Sequence, residues 1–190
     1  PPSSTLSAYD IVIWSAPLDS PGYLDADGAL EEYLDGGGRL LLSGQDIGFW
    51  DGGGALGYWS DYYRDYLKAG FVNDNAPTRV LYGVTGDLFA GLTITIAGPG
   101  GADNQSFPDE VEVADTSSAA TVWAYQGGAY GGIRAGTCLN YRSMYFSFGF
   151  EAIADRATRQ EVMRRAIEWL VAPPPQAGLE LTTGTSPKVG

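Results

Sequence analysis

Two short apolar runs near the start of the chain are separated by an amphipathic segment. Residues 11–14 (IVIW) and 40–42 (LLL) are apolar at every position, which is typical of strands buried on both faces of a parallel sheet. Between them, apolar side chains recur with a helical period at Ala29, Leu30, Tyr33 and Leu34. Glycines 36–38 then end the helix, because glycine takes the left-handed conformation at little cost. The pattern predicts a right-handed βαβ unit.

An aromatic segment follows a glycine cluster at residues 52–54. Its apolar side chains fall in adjacent pairs four residues apart, at Tyr58, Trp59, Tyr62, Tyr63, Tyr66 and Leu67. This spacing predicts a second helix that stops at Gly70. An aromatic stripe can serve as a carbohydrate or cofactor platform, but at helical spacing it more often packs in a core or an interface.

The pattern changes between residues 79 and 136, where short runs with strand character are separated by Gly, Pro, Asn and Asp. The candidate strands are residues 92–96, 110–113, 121–125 and 132–135. The first of them alternates apolar and polar positions, as a half-exposed antiparallel strand does. We expect a β-rich antiparallel excursion over this stretch.

Residues 143–149 (SMYFSFG) are largely apolar and return the chain to the central sheet. A last helix follows, capped by Asp155 or Thr158, and the prolines at 173–175 end it. We therefore expect a linker at residues 1–8, one α/β domain at 9–172, and a Pro-rich linker with the start of a following domain at 173–190.

The composition excludes several classes of function. The 190 residues contain no histidine, which removes Ser-His-Asp and Cys-His catalysis and every zinc site that uses histidine. A net charge of −12 disfavours nucleic acids and anionic membranes, and no apolar run is long enough to span a bilayer. Without a base to activate it, the lone Cys138 is expected to be an inert, buried or partly buried thiol.

Four segments together resemble the class I glutamine amidotransferase-like domains. They are residues 9–14 (YDIVIW), 31–50 (EEYLDGGGRLLLSGQDIGFW), 145–153 (YFSFGFEAI) and 164–170 (RRAIEWL). Within that family the chain is most similar to the catalytically silent versions appended to large secreted bacterial peptidases. The resemblance implies an α/β fold with a three-layer, flavodoxin-like parallel sheet that lacks its first βα unit and carries the β-rich excursion around residues 79–136.

The resemblance also locates the positions where active relatives hold their catalytic residues. The turn that would carry a cysteine nucleophile falls at residues 43–45, so Gly44 or Gln45 stands in its place. The His-x-Glu of the family falls at residues 149–151, where Glu151 is matched and Gly149 replaces the histidine. With nucleophile and base both replaced, these four positions are vestigial and no amidotransferase activity is expected.

A missing first strand would leave an apolar sheet edge, which proteins usually cover. We therefore expect a homodimer through that edge, in addition to contacts with other domains of the same polypeptide. From the resemblance alone, the protein is expected to be extracellular or at the cell surface of a bacterium.

Asp46 and Glu151 are the candidate functional pair, with Ser43 and Gln45 beside them. Both carboxylates follow predicted parallel strands, at the edge of the sheet where α/β folds bind ligands. Two carboxylates can cleave a glycosidic bond or bind a hard cation such as Ca²⁺. In the structural alternative, Asp46 caps its own turn and Glu151 bonds a neighbouring loop. We expect no cofactor beyond adventitious Ca²⁺.

Two functions remain. The first is a non-catalytic accessory domain that contributes binding, spacing or assembly to a secreted multidomain peptidase. The second is a small hydrolase that uses Asp46 and Glu151 in place of the lost triad.

Overall fold

A computed structural model of the chain describes residues 2–16, 19–55 and 57–173. The predicted spacer and following segment lie outside these residues from position 174 onward. The strands are β1 (Val12–Ser15), β2 (Arg39–Ser43), β3 (Ala69–Asn73), β4 (Val80–Gly83), β5 (Thr93–Thr95), β6 (Glu110–Val113), β7 (Ala119–Tyr125), β8 (Tyr130–Ala135) and β9 (Arg142–Phe146). The helices are α1 (Ser3–Leu6), α2 (Asp27–Asp35), α3 (Ile47–Asp51) and α4 (Arg156–Val171), with a π-helical turn at Tyr62–Tyr66 and a 3₁₀ turn at Phe150–Ala152.

The predicted βαβ unit is present. Strands β1 and β2 pair in parallel, with Ser15 opposite Ser43, and α2 connects them. Strand β9 pairs in parallel on the other side of β2, with Phe146 opposite Ser43. The carboxyl ends of the three strands therefore meet at one edge of the sheet.

The β-rich segment continues this sheet rather than leaving it. The order is β1-β2-β9-β8-β7-β4-β5, and β6 joins β8 to β3. Every pairing beyond β9 is antiparallel, and the β7–β8 hairpin turns through Gly127 and Gly128, which both have positive φ. The nine-stranded sheet is thus mixed and strand-rich, and the flavodoxin-like three-layer arrangement is not confirmed.

The prediction of a helix over residues 58–67 is wrong. Only the π-helical turn at Tyr62–Tyr66 forms, and Trp59 instead pairs with Gly52 in an isolated β-bridge. The prediction of a buried aromatic stripe holds only in part, because Tyr58 and Trp59 are 64% and 47% exposed. The members of the stripe that are buried are Tyr62, Tyr63 and Leu67. Tertiary packing of these side chains, rather than helical propensity, fixes the segment.

Strand β2 is buried on both faces. Leu40 and Leu42 belong to the cluster that contains the α2 side chains Leu30 and Leu34. Leu41 belongs to a second cluster, together with Val162, Ala166 and Leu170 of α4. None of the described helices is long and apolar enough to cross a membrane.

Strand β1 forms one edge of the sheet in the part of the chain that the structure describes. Its outward side chain Ile13 is 52% exposed, and Tyr9, just before the strand, is 62% exposed. The expected N-terminal linker contains α1, whose Leu6 is buried in the core.

Cys138 is exposed, not buried or partly buried as predicted. It lies in the turn between β8 and β9 with a φ of 59°, so the chain reverses direction at this residue and leaves it outside the core.

Candidate functional site

The candidate site lies where the carboxyl ends of β1, β2 and β9 meet. Three segments leave the sheet there, at Ala16, at residues 44–46 and at residues 147–151. A loop formed by residues 102–109 runs across the same ends. Open α/β sheets bind ligands at this position, so its contents decide what the domain can do.

Gly44 occupies a position that has no room for a side chain. Its N–H donates to the carbonyl oxygen of Phe146 at 3.1 Å, and the N–H of Ala16 donates to the carbonyl oxygen of Ser43 at 2.8 Å. A Cβ on Gly44 would overlap the carbonyl oxygen of Ala16 and would come within 2.8 Å of Ile47 Cδ1. Backbone atoms therefore fill one of the two positions that the resemblance assigns to a nucleophile.

Gln45 fills the other position and is buried. Its Oε1 accepts hydrogen bonds from the backbone N–H groups of Ser106 and Phe107, at 2.7 and 3.0 Å. Its Nε2 donates to the carbonyl oxygen of Asn104 at 3.1 Å. The side chain thus fastens the crossing loop to the end of β2.

Glu151 also bonds to its surroundings. Its carboxylate accepts hydrogen bonds from Ser15 Oγ and Asn104 Nδ2, both at 3.1 Å. The N–H of Gly149 donates to Gln105 Oε1 at 2.7 Å, and a Cβ on Gly149 would overlap the Glu151 carboxylate. The position that matches the family's histidine is therefore closed by a glutamate and by the crossing loop.

The structure brings Ser43, Gln45 and Glu151 into one network at the strand ends. Ser43 Oγ accepts a long hydrogen bond from the N–H of Phe150, at 3.4 Å. Asp46 instead neighbours Asp74 and Asp109, and the charge of Asp74 acts on its carboxylate.

Asp46 does not cap its own turn. It precedes α3, but its side chain makes no capping hydrogen bond. Asp109 caps the helix instead. Its Oδ2 accepts hydrogen bonds from the N–H groups of Gly48 and Phe49, at 2.8 and 3.2 Å. A residue distant in sequence thus satisfies the first N–H groups of this helix.

Three carboxylates gather beside the start of α3. Asp46, Asp74 and Asp109 each contribute one carboxylate oxygen, and these three oxygens all lie within 4.8 Å of one another. Asp109 is fully buried, and the other two are half-buried. The sequence pattern singled out Asp46 but did not place Asp74 or Asp109 in the site. The sequence signal for Asp74 and Asp109 was weak: each directly adjoins a strand, but the strand β3 was not predicted.

Burial dominates the electrostatics of this cluster. It raises the pKa of Asp46 to about 6, with a further contribution from the charge of Asp74. Burial also raises the pKa of Asp109 well above its usual range, and the charges of Asp46 and Asp74 add to it, while the hydrogen bonds from Phe49 and Gly48 oppose it. Within the described residues, no arginine or lysine forms an ion pair with any of the three.

Arg79 holds two loops together beside the cluster. Its Nε donates to the carbonyl oxygen of Gln105 at 2.9 Å, and its Nη2 donates to that of Ser106 at 2.8 Å. The same guanidinium donates to the carbonyl oxygen of Ala76 at 2.6 Å and to Asn75 Oδ1 at 2.8 Å. Its donors are thus directed at carbonyl and amide oxygens rather than at the carboxylates.

A separate groove of about 470 Å³ opens next to β3. The guanidinium of Arg64 lies 4.5 Å from the ring centre of Trp59, which is cation–π distance. The other side chains and backbone segments that line the groove include Tyr63, Phe71 and Glu112.

Exposed aromatic side chains gather at a second cleft. The rings of Tyr23 and Trp50 lie 6.1 Å apart, and Tyr58 borders the same cleft with Asp27 and Ser60. Tyr23 and Tyr58 are 71% and 64% exposed. Exposed aromatic groups with polar neighbours are typical of contact surfaces.

No family model and no curated protein matches the chain. Solved structures with a similar fold include the following two. The first is the mmIFT52 N-terminal domain, with a TM-score of 0.59, 15% identity, and coverage of 90% of this chain and 81% of that one. The second is named as a GMP synthase subunit from Thermoplasma acidophilum, with a TM-score of 0.51, 16% identity, and coverage of 87% and 74%.

At this level of identity the similarity concerns the fold alone. At the level of the fold, the similarity to the GMP synthase subunit supports the glutamine amidotransferase-like resemblance drawn from the sequence. The chain thus has a mixed α/β fold that is similar to glutamine amidotransferase-like domains.

Proposed function

We propose that this chain is a non-catalytic accessory domain that provides binding, spacing or assembly in a larger secreted bacterial polypeptide with a peptidase domain. The resemblance of the four sequence segments supports the peptidase context and the bacterial surface. The backbone and side-chain atoms that fill the space at the carboxyl ends of β1, β2 and β9 support the lack of catalysis.

The observation that carries the proposal is the packing of Gly44 against Ala16. A nucleophile needs a side chain that projects into a substrate cavity, and backbone packing excludes any side chain here. The neighbouring Gln45 directs its amide at the crossing loop, and the chain has no histidine to act as a base. On this proposal the domain keeps the sheet as a scaffold, and backbone and side-chain atoms fill the place where active relatives hold their nucleophile.

The exposed surfaces support a role in contacts. Within the described residues, the edge strand β1 has one side without a strand partner, and it exposes the apolar side chain of Ile13. We propose that a second copy of the chain pairs with this edge, and that other domains of the same polypeptide contact the remaining surface.

A substrate screen tests the absence of catalysis. The purified chain and an Asp46→Asn/Glu151→Gln double variant are assayed with glutamine, ester, amide and glycoside substrates. We expect no turnover above buffer for either protein. Turnover by the wild type that the double variant loses would overturn the proposal and favour the small hydrolase that uses these two carboxylates.

The parent polypeptide is tested separately. We expect the complete reading frame to encode an export signal and a peptidase domain. A reading frame without either would remove the peptidase context and leave the non-catalytic role to be judged by the screen.

A further inference from the structure

We propose that Asp46, Asp74 and Asp109 form a Ca²⁺ site, because the three carboxylates converge at one point that the sheet register defines, and Asp74 and Asp109 each hold a buried oxygen without a hydrogen-bond partner. The inference concerns these residues alone and does not depend on the accessory role proposed above.

The antiparallel pairing of β3 and β6 places two of the ligands. Asn73 lies opposite Glu110 in the register, so Asp74 and Asp109 occupy the next opposed positions, just beyond the ends of the two strands. The N–H of Ala76 donates to the carbonyl oxygen of Pro108 at 2.7 Å and holds the two segments together past that point.

The parallel part of the sheet places the third ligand. The backbone N–H of Asp109 donates to the carbonyl oxygen of Ser147, and Ser147 Oγ donates to the carbonyl oxygen of Asp109 at 2.6 Å. Ser147 directly follows β9, which pairs with β2, and Asp46 lies three residues after the end of β2. Three carboxylates from distant parts of the sequence are therefore held by backbone pairing, which gives a preformed site.

Two oxygens of the cluster lack the partners that buried carboxylates need. The Oδ2 of Asp109 accepts two backbone hydrogen bonds, whereas its Oδ1 is buried without a hydrogen-bond partner. The Oδ1 of Asp74 is also buried without one. An unsatisfied buried carboxylate oxygen is unfavourable, and a cation that binds between the carboxylates would satisfy both oxygens at once.

Nothing within the described residues neutralises the charge of the three groups. Arg79 is the nearby cation, but its donors bond to carbonyl and amide oxygens of the two loops. The three carboxylates therefore repel one another. A divalent cation would replace this repulsion with attraction.

The ligand atoms favour Ca²⁺. All three groups are hard carboxylate oxygens, and no nitrogen or sulfur ligand accompanies them in the cluster. Two oxygens on one Ca²⁺ lie at most about 5 Å apart, which is twice the Ca–O distance of about 2.3–2.6 Å, and the spacing of at most 4.8 Å agrees with this limit. Ca²⁺ also accepts irregular geometry and completes its shell with water, whereas Mg²⁺ requires a near-octahedral site.

The test is calorimetric titration of the full chain with Ca²⁺ at pH 7 after EDTA treatment, together with thermal unfolding in EDTA and in excess Ca²⁺. We expect saturable binding and a rise in the midpoint of unfolding of about 5–10 °C when the Ca²⁺ concentration is about 100 times the Kd. We expect Mg²⁺ at the same concentration to produce a smaller shift.

Asp74→Asn is the diagnostic variant. We expect it to weaken Ca²⁺ binding at least about tenfold, and to unfold in EDTA at or above the wild-type midpoint, because it removes one of three repelling charges. Asp46→Asn, whose side chain makes no capping bond, provides a second variant with the same expectation if Asp74→Asn does not fold. Asp10→Asn is the charge-matched control, since Asp10 is exposed at the opposite ends of the strands, and it should bind Ca²⁺ as the wild type does.

Three results would overturn the inference. They are the absence of a heat or midpoint change with millimolar Ca²⁺, an equal Ca²⁺ response in the wild type and the two cluster variants, and an equal or larger response to Mg²⁺.

Discussion

The carbonyl oxygen of Ala16 occupies the space that a Cβ on Gly44 would need. Both residues directly follow paired parallel strands, so the close contact comes from the sheet itself and not from a movable side chain. The structure therefore excludes any side chain at this position without a shift of the backbone.

We expect Gly44→Ala to lower the free energy of unfolding by about 1–3 kcal/mol, as overpacking of a rigid interior does. Gly28→Ala is the control. Gly28 is exposed in α2 and has no atom within 4 Å of an added Cβ, so the same change there should raise stability by up to about 1 kcal/mol. Urea unfolding of both variants measures the difference. A Gly44→Ala protein as stable as the wild type would contradict the packing.

Gln45 is expected to determine the order of the crossing loop. Replacement by alanine removes the acceptor for the N–H groups of Ser106 and Phe107 and should cost about 2 kcal/mol. Hydrogen exchange of those two amides should accelerate relative to the amides of β9. Gln160→Ala, on the exposed face of α4, is the control and should change neither quantity. Unchanged protection of Ser106 would show that other contacts hold the loop.

The ion pair of Asp87 and Arg134 should make stability depend on acid pH. Both guanidinium contacts are short, at 2.8 and 2.7 Å. Burial acts to raise the pKa of Asp87, but the hydrogen bonds from Arg134 and from the N–H of Leu88 outweigh it, and the pKa falls below its usual value. Because the folded state holds this proton less tightly than the unfolded state, the pair stabilises the protein above about pH 4 and the benefit is lost as the pH falls further.

We expect Asp87→Asn to lower stability at pH 7 by about 1 kcal/mol, since both side chains are partly exposed. The difference from the wild type should shrink below pH 4. Denaturant unfolding at several pH values measures it. A constant difference between pH 7 and pH 3 would contradict the assignment.

The open edge of β1 should control self-association. A lysine at position 13 adds charge to the edge, and charged edges resist strand pairing. We expect the wild type to sediment as a dimer at high concentration and Ile13→Lys as a monomer. Val171→Lys, at the end of α4, is a control of matched exposure and should remain dimeric. A monomeric wild type would rule out pairing through this edge.

The sequence pattern predicted the elements whose side chains face a continuous core. The runs at residues 11–14 and 40–42 became parallel strands, and the glycines at 36–38 ended α2. Burial on both faces was correct for β2 but wrong for β1, which is half-buried on one face and exposed on the other because it lies at the edge of the sheet. The aromatic segment at 58–67 was predicted incorrectly. Its aromatic pairs fit a helical period, but the buried Tyr62 and Tyr63 pack from an irregular turn, in which Tyr62 also donates a 2.5 Å hydrogen bond to Asp51.

The candidate site was only half predictable. Ser43, Gln45 and Glu151 follow strands that the apolar runs identify, so their proximity could be predicted. Asp74 and Asp109 meet only because β3 pairs with β6, and that long-range register leaves no local periodic signal. A missed strand thus concealed two of the three carboxylates.

Arg79 joins the two parts of the site. One guanidinium binds both the segment after Asp74 and the loop fastened by Gln45. Displacement of either segment must break hydrogen bonds that hold the other, so the carboxylate cluster and the filled strand ends should open together in a single local unfolding event. A cation bound by the carboxylate cluster would then slow amide hydrogen exchange in the loop at the strand ends.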